Sequence, residues 1–139
     1  MAEKTANHLV IDLMSLQGKI QKRVGGALSV HGLGLSDYFV LNQLYIAPSQ
    51  KMRRSELAER VGLSPSGITR LINPLEKIGL VEKELNPRDA RVSLVTLSAS
   101  GKQTYEDANT SFSSASQALF ESLNATQLSK LSELLKTLL

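Results

Sequence analysis

The sequence predicts a mainly α-helical fold with one small β-hairpin, and three patterns in its 139 residues favour that class. Apolar residues recur at steps of three and four along most of the chain, which is the spacing of a helix with one buried face. Apolar and polar residues alternate over residues 80–85 and 92–97, as they do in a half-buried strand. Residues 86–91 between them are rich in turn formers, so the two strands are expected to form a hairpin.

The composition limits the functions that are open to this chain. A length of 139 residues favours one domain. The absence of cysteine excludes disulfides, thiolate metal sites and a thiol-oxidation switch. The sequence contains no run of about twenty apolar residues, so no membrane span is expected. The first eight residues lack the apolar core of a signal peptide. A cytoplasmic protein is therefore expected.

Two helices are predicted before residue 50. Glycines 25 and 26 are expected to weaken the end of the first, which covers residues 6–29. The second helix is expected to begin with Ser36 as its N-cap and to end before Pro48. The apolar stripe of the first helix consists of Leu9, Leu13, Leu16, Ile20 and Val24.

Two short helices joined by a turn are predicted next, after a short extended piece at residues 52–54. Ser55 is expected to cap the first of them and Gly62 to end it in a left-handed conformation. Ser64–Pro65 is a typical start for the second, because serine caps the free amides and proline fits the first turn. Gly79 is expected to close it.

A long helix and a shorter one are predicted after the hairpin. Ser98 is expected to cap the long helix, Leu123–Asn124 to end it, and the last helix to start near Thr126. Residues 109–116 of the long helix are rich in serine and lack charge. These small residues are expected to allow close contact with another helix; local fraying is the alternative.

Positive charge is concentrated in residues 51–91. This segment has nine basic and six acidic residues, so it carries the whole net charge of +3. A local excess of positive charge favours a polyanion such as a nucleic acid as the partner. A solvated surface of mixed charge is the alternative.

The helix that begins at Ser64 has the composition of a helix that reads the major groove of duplex DNA. That groove, about 12 Å wide, accepts a helix whose first turns carry small or hydrogen-bonding side chains, and arginine can bond guanine through two hydrogen bonds. The opposite face is apolar and is expected to pack inward. An ordinary capped amphipathic helix is the alternative. The predicted DNA contacts on this helix are Ser64, Ser66, Gly67, Thr69, Arg70 and Asn73.

The predicted hairpin carries Arg88, Asp89 and Arg91 at its tip. Arginines on a narrow hairpin fit the minor groove, whose negative potential attracts them. An unpaired carboxylate beside DNA would be repelled, so Asp89 is expected to pair with a nearby arginine and hold its fork in place. The alternative is a surface turn with two solvated arginines.

Together these motifs resemble the MarR family of bacterial transcription regulators. The resemblance rests on LAERVGLS from Leu57, ITRL from Ile68, LEKIGLV from Leu75, RDARVSLVTLS from Arg88, and Gly101. It implies a winged helix-turn-helix with Ser64–Gly79 as the recognition helix. Asp89 and Arg91 match the wing Asp-x-Arg of the family, whose arginine enters the minor groove. The family also implies a homodimer, usually a repressor released by small aromatic ligands.

The resemblance and the apolar ends of the chain predict two regions. Residues 36–97 are expected to form the winged helix-turn-helix DNA-binding lobe, and residues 1–35 and 98–139 a helical dimerisation region. A two-fold dimer would set two recognition helices roughly 34 Å apart and predicts a palindromic DNA site. The alternative is one subunit that folds its termini over its own core.

An effector pocket is also implied by the resemblance, between the dimer helices and the DNA-binding lobe. Tyr38, Tyr45, His31 and His8 are candidates to line it. A lone tyrosine or histidine is more often a core or surface residue than a ligand contact, so no effector is identified.

Pro74 departs from the pattern of a regular recognition helix. It cannot donate a hydrogen bond to the carbonyl of Arg70, and its ring crowds that carbonyl, at a cost of roughly 3 kcal/mol in a regular helix. A kink is therefore predicted at this position.

Other classes of function are weighed against a DNA-binding regulator. An enzyme would need a nucleophile, paired carboxylates or a metal cluster, and the two histidines and scattered acidic residues offer none, so no catalytic residue, metal or cofactor is predicted. A winged helix that contacts only proteins is expected to lack the arginines that this hairpin carries. Repression and activation both remain open, because operator position decides between them.

Overall fold

A computed structural model describes residues 1–139, apart from the side chain of Ala90. The chain is mainly helical with one small sheet, as predicted, and a 3-10 turn at Pro48–Gln50 joins the second helix to the first strand. In chain order the elements are α1 (Ala2–Ser29), α2 (Leu35–Ile46), β1 (Lys51–Arg53), α3 (Arg54–Val61), α4 (Pro65–Lys77), β2 (Val81–Asn86), β3 (Asp89–Leu97), α5 (Ala99–Leu119) and α6 (Ala125–Leu138).

The predicted hairpin consists of β2 and β3, and β1 completes an antiparallel sheet in the order β1-β3-β2. Met52 of β1 and Lys83 of β2 both pair with Val95 of β3, which is fully buried. Toward the tip the side chains are solvated, and Leu85 is 65% exposed. The hairpin is therefore anchored at its base, and its tip projects into solvent.

The core surrounds α2, which contacts α1, α3, α4 and α5. From α4, Ile68, Ile72 and Leu75 enter this core, on the face predicted to pack inward. Burial of each such side chain contributes about 1.5–3 kcal/mol, so α4 is held firmly by one side. No helix in the described chain is long and apolar enough to cross a membrane.

Two predicted helix starts and one predicted helix end are confirmed. Ser64 accepts a hydrogen bond at Oγ from the N–H of Gly67 at 3.1 Å, and Ser98 accepts one from the N–H of Gly101 at 2.9 Å. Gly62 follows α3 with φ of 71°, the left-handed conformation predicted for it. A serine cap of this kind contributes about 1 kcal/mol, which fixes where α4 and α5 begin.

Two other predicted caps are wrong. Gly34 precedes α2 and donates its N–H to Asp37 Oδ2 at 2.8 Å, so the helix starts before Ser36. α3 begins at Arg54, directly after β1, and Ser55 therefore lies inside its first turn. In both cases the preceding segment fixes the start of the helix, and the serine is left as an exposed helical residue.

The first helix is longer and more regular than predicted. It begins at Ala2 and continues without interruption to Ser29. Gly25 and Gly26 do not interrupt it, and the side chain of Leu35 lies beside Gly25. A less stable end of this helix stays a prediction.

The serine-rich segment at residues 109–116 is helical, so it does not fray. Within it, Ser111 Oγ lies 2.9 Å from His31 Nε2, which ties α5 to the turn after α1. α5 ends at Leu119, before the predicted break. Asn124 then caps α6 by accepting the N–H of Gln127 at 2.9 Å.

α4 runs through Pro74 without interruption, so the proline does not end it. The N–H of Ile78 bonds the Pro74 carbonyl at 3.1 Å, which continues the helical pattern beyond the proline. A bend of the axis at this position stays a prediction.

Apolar side chains are exposed on the N-terminal half of α1 and along α6, of which no residue is buried. Water contact with so many neighbouring apolar side chains is unfavourable. The exposed side chains are Leu9, Val10, Ile11, Leu13, Met14, Leu128, Leu134, Leu135 and Leu138.

Candidate nucleic-acid interface

The outward side of α4 carries polar side chains from its N-cap residue onward. The hydroxyls of Ser64 and Ser66 lie 3.2 Å apart at the exposed start of the helix. Arg70 follows one turn later and is also exposed. Among the described residues no carboxylate lies within ion-pair distance of Arg70, so its guanidinium is available to an outside acceptor.

Thr69 is engaged inside the protein. Its hydroxyl donates to the Pro65 carbonyl at 3.0 Å and accepts from Nη1 of Arg54 at 3.0 Å. Thr69 is only partly exposed, and its hydroxyl hydrogen is already used. The residue joins α3 to α4, and its predicted role as a base contact would have to use the remaining lone pair or the methyl group.

Asn73 is also tied to a neighbouring element. Its Oδ1 accepts a hydrogen bond from Lys83 Nζ at 2.6 Å, and the same lysine lies 3.6 Å from Glu76. The contact links α4 to β2 of the hairpin. Both amide hydrogens of Asn73 and the second lone pair of its Oδ1 are left for an outside partner.

The hairpin tip contains the predicted pair of Asp89 and Arg91. Arg91 donates from Nε to Oδ1 at 3.1 Å and from Nη2 to Oδ2 at 3.3 Å, and its backbone N–H donates to Oδ1 at 3.0 Å. The Arg91 side chain is nonetheless 91% exposed. The predicted pairing is confirmed, and it presents an oriented guanidinium to solvent. Arg88, also exposed, donates its N–H to Asn86 Oδ1 at 2.9 Å within the turn.

Electrostatics keeps Asp89 charged. The side-chain hydrogen bonds from Arg91 lower the pKa of the Asp89 carboxyl most, and the Arg91 backbone N–H and the charge of Arg53 lower it further. An aspartate is ionised at neutral pH in any case, and the lowered pKa keeps this carboxylate ionised to more acidic pH. The pair is lost only when the pH falls through that lowered value.

Nine basic residues lie in residues 51–91, and four of them are neutralised by neighbours. Lys51 pairs with Glu84, Arg60 with Glu56, Lys83 with Glu76, and Arg91 with Asp89. The other five have no carboxylate at ion-pair distance among the described residues, so they generate the positive field of the lobe. These five are Arg53, Arg54, Arg70, Lys77 and Arg88.

A cleft of about 280 Å³ separates the start of α4 from the hairpin, and sequence reasoning did not anticipate it. For Arg53 and Arg54 the sequence predicts only a short extended piece. The only sequence signal for these residues is a pair of adjacent arginines before a predicted helix. That pattern alone does not predict that they line a cleft. We name this cleft the arginine cleft; it is lined by Arg53 and Arg54, by Pro65 and Ile68, and by Arg91 and Ser93.

The aromatic candidates for an effector pocket divide into two groups. Tyr38 lies on a second cleft, of about 470 Å³, with Phe39, Phe112 and Ile20. Tyr45 and His31 are not among the residues that line this cleft. Tyr45 bonds Glu106 Oε1 at 3.1 Å, and that hydrogen bond is the main reason why its pKa is raised.

Tyr38 is buried in an aromatic stack. Its ring centre lies 4.2 Å from that of Phe112 and 5.1 Å from that of Tyr105, and its hydroxyl donates to Asn109 Oδ1 at 2.8 Å. Burial raises the pKa of the Tyr38 hydroxyl, which therefore stays neutral. The stack joins α2 to α5. His8 lies in the exposed part of α1.

Comparison with known protein sequences places the chain among transcription regulators. A sequence model of the MarR family matches residues 31–92. The HTH-type transcriptional repressor MdtR of Bacillus subtilis is 32% identical over 108 residues, which cover 75% of this chain and 68% of that protein. The HTH-type transcriptional regulator PrsX of Escherichia coli is 30% identical over 95 residues; these cover 68% of this chain and 57% of that longer protein.

Solved structures share the fold over nearly the whole chain. A mutant MarR from Escherichia coli complexed with operator DNA superimposes with a TM-score of 0.86 at 25% identity, covering 94% of this chain and 93% of that one. Sco3205 from Streptomyces coelicolor, a MarR family transcriptional regulator in complex with DNA, has a TM-score of 0.87 at 21% identity and covers 99% of this chain and 86% of that one. At 21% identity, the similarity to Sco3205 shows a shared fold only.

Proposed function

Because this chain belongs to the MarR family of winged helix-turn-helix transcription regulators, we propose that it binds a palindromic operator as a homodimer and represses transcription until a small ligand releases it. Members of this family are regulators and not enzymes. Its place of action would be the cytoplasm, where it has access to DNA.

The arrangement of α4 and the hairpin carries the DNA-binding part of this proposal. A helix with an exposed, unpaired Arg70 stands beside a hairpin whose Arg91 is 91% exposed and oriented by Asp89. Such a pair of elements can occupy a major groove and the adjacent minor groove at once. A module for protein contacts alone has no need of two exposed guanidinium groups in this geometry. The predicted contacts at Ser64, Ser66 and Gly67 would serve phosphates or bases at the start of the helix.

Titration of labelled duplexes tests this part directly. We expect affinity for duplex DNA that falls steeply with salt, because lysine and arginine contacts to phosphate release counterions. A protein that leaves every duplex unbound even at low ionic strength would refute DNA binding.

Arg70→Ala is expected to weaken binding to the operator by about 1–3 kcal/mol and to relax the preference at one base pair, because we propose that Arg70 bonds a base edge with both arms of its fork. Lys77→Ala is a suitable control, since it removes an exposed charge from the last turn of the same helix. The measurement is the dissociation constant for a panel of single-base operator variants. An equal loss on all of them would assign Arg70 to a phosphate instead.

Arg91→Ala is expected to weaken operator binding while the melting temperature stays within about 2 °C of the wild type, since exposed side chains contribute little to stability. The side chain is 91% exposed and bonds only Asp89 within the described residues. Asp89→Asn tests the other partner of the Asp89–Arg91 pair. It should lower affinity for the operator less than Arg91→Ala does, because the guanidinium remains but loses its orientation. A fall in melting temperature of the size seen for core changes would mean that Arg91 is structural.

The exposed apolar faces of α1 and α6 support the homodimer. Leu128, Leu131, Leu135 and Leu138 follow one side of α6 at helical spacing, and none of them is buried in the single chain. A second subunit related by a two-fold axis would cover this face and place the two recognition helices on one side of the pair. Residues 1–35 and 98–139 are the dimerisation region in this proposal, and residues 36–97 the DNA-binding lobe.

The cleft at Tyr38 and Phe112 supports the ligand-responsive part. It offers aromatic and aliphatic walls with polar Gln17, Gln21 and Asn42 at its edge, a lining that suits a small aromatic molecule. It lies between α1, α2 and α5, where the proposed dimerisation region meets the DNA-binding lobe. A ligand there would be detected by a rise in melting temperature together with release of a bound duplex.

A further inference from the structure

We propose that the arginine cleft binds one phosphate of the DNA backbone, on the strand that separates the major groove from the adjacent minor groove. This inference rests on the proposed DNA binding and adds a contact site to it. It assigns two residues as phosphate ligands: Arg53, directly before α3, and Arg54, the first residue of α3.

The position of the cleft between α4 and the hairpin suits a contact with the DNA backbone. One of its walls is the start of α4, with Pro65 and Ile68, and the opposite wall is β3, with Arg91 and Ser93. If α4 occupies a major groove and the hairpin occupies the neighbouring minor groove, one sugar-phosphate strand must pass between them, because a single strand divides the two grooves on each side. The arginine cleft is the space between these two elements, so that strand passes over it.

The charge of the cleft suits an anion. Arg53, Arg54 and Arg91 line it, and no acidic side chain is among its lining residues. Neither Arg53 nor Arg54 has a carboxylate at ion-pair distance in the described chain. Asp89 is near enough for the charge of Arg53 to lower its pKa, but it pairs with Arg91 and is not at ion-pair distance from Arg53 or Arg54. Two guanidinium groups that share a cleft without an ion-paired carboxylate of their own favour a negatively charged occupant.

The hydrogen bonding of Arg54 also favours an anion in the cleft. Its Nη1 is fixed by Thr69 at 3.0 Å, so the guanidinium is held between α3 and α4. Its Nε is buried and has no acceptor among the described residues. A buried donor without a partner is unfavourable, and a phosphate in the adjacent cleft would compensate its charge.

Phosphate contacts do not distinguish bases. Replacing a residue of this site should therefore lower affinity equally for all duplex sequences, whereas replacing Arg70 should lower it most for the operator. The decisive quantity is the slope of log K against log salt, since each phosphate contact contributes about 0.9 to that slope. Loss of the whole contact in both subunits of a dimer would make the slope shallower by about 1.8. Because Arg53 and Arg54 share one phosphate, each single substitution should account for a part of that change.

The experiment measures dissociation constants of Arg53→Gln and Arg54→Gln for the operator and for an unrelated duplex, over several salt concentrations. Each variant is expected to give a shallower slope and the same fold-loss of affinity on both duplexes. Lys102→Gln, which removes an exposed charge from α5 outside the cleft, should keep the wild-type slope. Arg54→Lys should retain the slope as well, because it keeps the charge.

Melting curves separate this effect from misfolding. Arg53 is exposed, so Arg53→Gln should melt with the wild type even if loss of the Arg54–Thr69 bond destabilises Arg54→Gln. A wild-type slope in a folded Arg53→Gln and a folded Arg54→Gln would overturn the phosphate site while DNA binding stands. If inorganic phosphate raised the melting temperature of the DNA-free protein and only the arginine variants lost that rise, with slopes unchanged, the occupant would be a free anion and the proposal would also fall.

Discussion

Replacing Leu135 with glutamate is expected to convert the protein into a monomer and to abolish operator binding at concentrations that saturate the wild type. Leu135 lies in the middle of the leucine face of α6, and in the single chain nothing covers it fully. Burial of a leucine contributes about 1.5–3 kcal/mol, and two-fold symmetry places the change twice in the interface. The dimer dissociation constant should therefore rise more than about a hundredfold.

Thr137→Glu is the matched control for this change. It introduces the same charge two residues away, on the opposite side of α6, where the Thr137 hydroxyl bonds only the Glu133 carbonyl. Sedimentation at micromolar concentration should give a dimer for this control and a monomer for Leu135→Glu. A Leu135→Glu protein that remains dimeric and binds its operator normally would move the interface away from α6.

Gly101→Ala is expected to cause the largest loss of stability among single-atom changes in this chain. Gly101 is buried in the first turn of α5, and a methyl group there would overlap the carbonyl oxygen of Leu80 and come within 2.8 Å of Leu97 Cδ1. The Leu80 carbonyl also accepts the N–H of Ser98 at 3.1 Å, so it cannot move away without breaking the start of α5. Overpacking costs about 1–3 kcal/mol and more where backbone is the obstacle.

Thermal melting measures this effect, with Gly26→Ala as the control. Gly26 is also a helical glycine, but an added methyl group would meet nothing within 4 Å. Its replacement should raise stability slightly, by up to roughly 0.5–1 kcal/mol, because alanine loses less backbone freedom on folding. Gly101→Ala should instead lower the melting temperature by roughly 10 °C for a loss of about 3 kcal/mol. Equal melting of the two variants would mean that α5 can shift away from Leu80.

Local patterns in the sequence were sufficient for most of the lobe. Ser64 and Ser98 cap the helices predicted for them, because a cap depends on residues only three apart. The Asp89–Arg91 pair was predictable for the same reason, since two residues on one strand separated by one position share a side. The prediction of Ser36 and Ser55 as caps failed, because tertiary structure chose between neighbouring candidates.

Contacts between distant residues were outside the reach of sequence reasoning. The hydrogen bond from Arg54 to Thr69 spans fifteen positions, and the bond from Lys83 to Asn73 spans ten. Both bonds engage side chains, Thr69 and Asn73, that the sequence predicts as DNA contacts because of their place on α4. The arginine cleft has the same origin, because it exists only where α3, α4 and β3 meet.

Selection of bound sites from a pool of random duplexes tests the central claim most directly, namely that α4 and the hairpin of two subunits engage a duplex together. We expect an inverted repeat whose half-sites are centred about 10–10.5 base pairs apart, or a multiple of that spacing, as a two-fold pair of recognition helices requires. Arg70→Ala should select a site degenerate at the same position in each half. A protein that enriches no sequence, or one that enriches a single half-site without symmetry, would contradict this mode of binding.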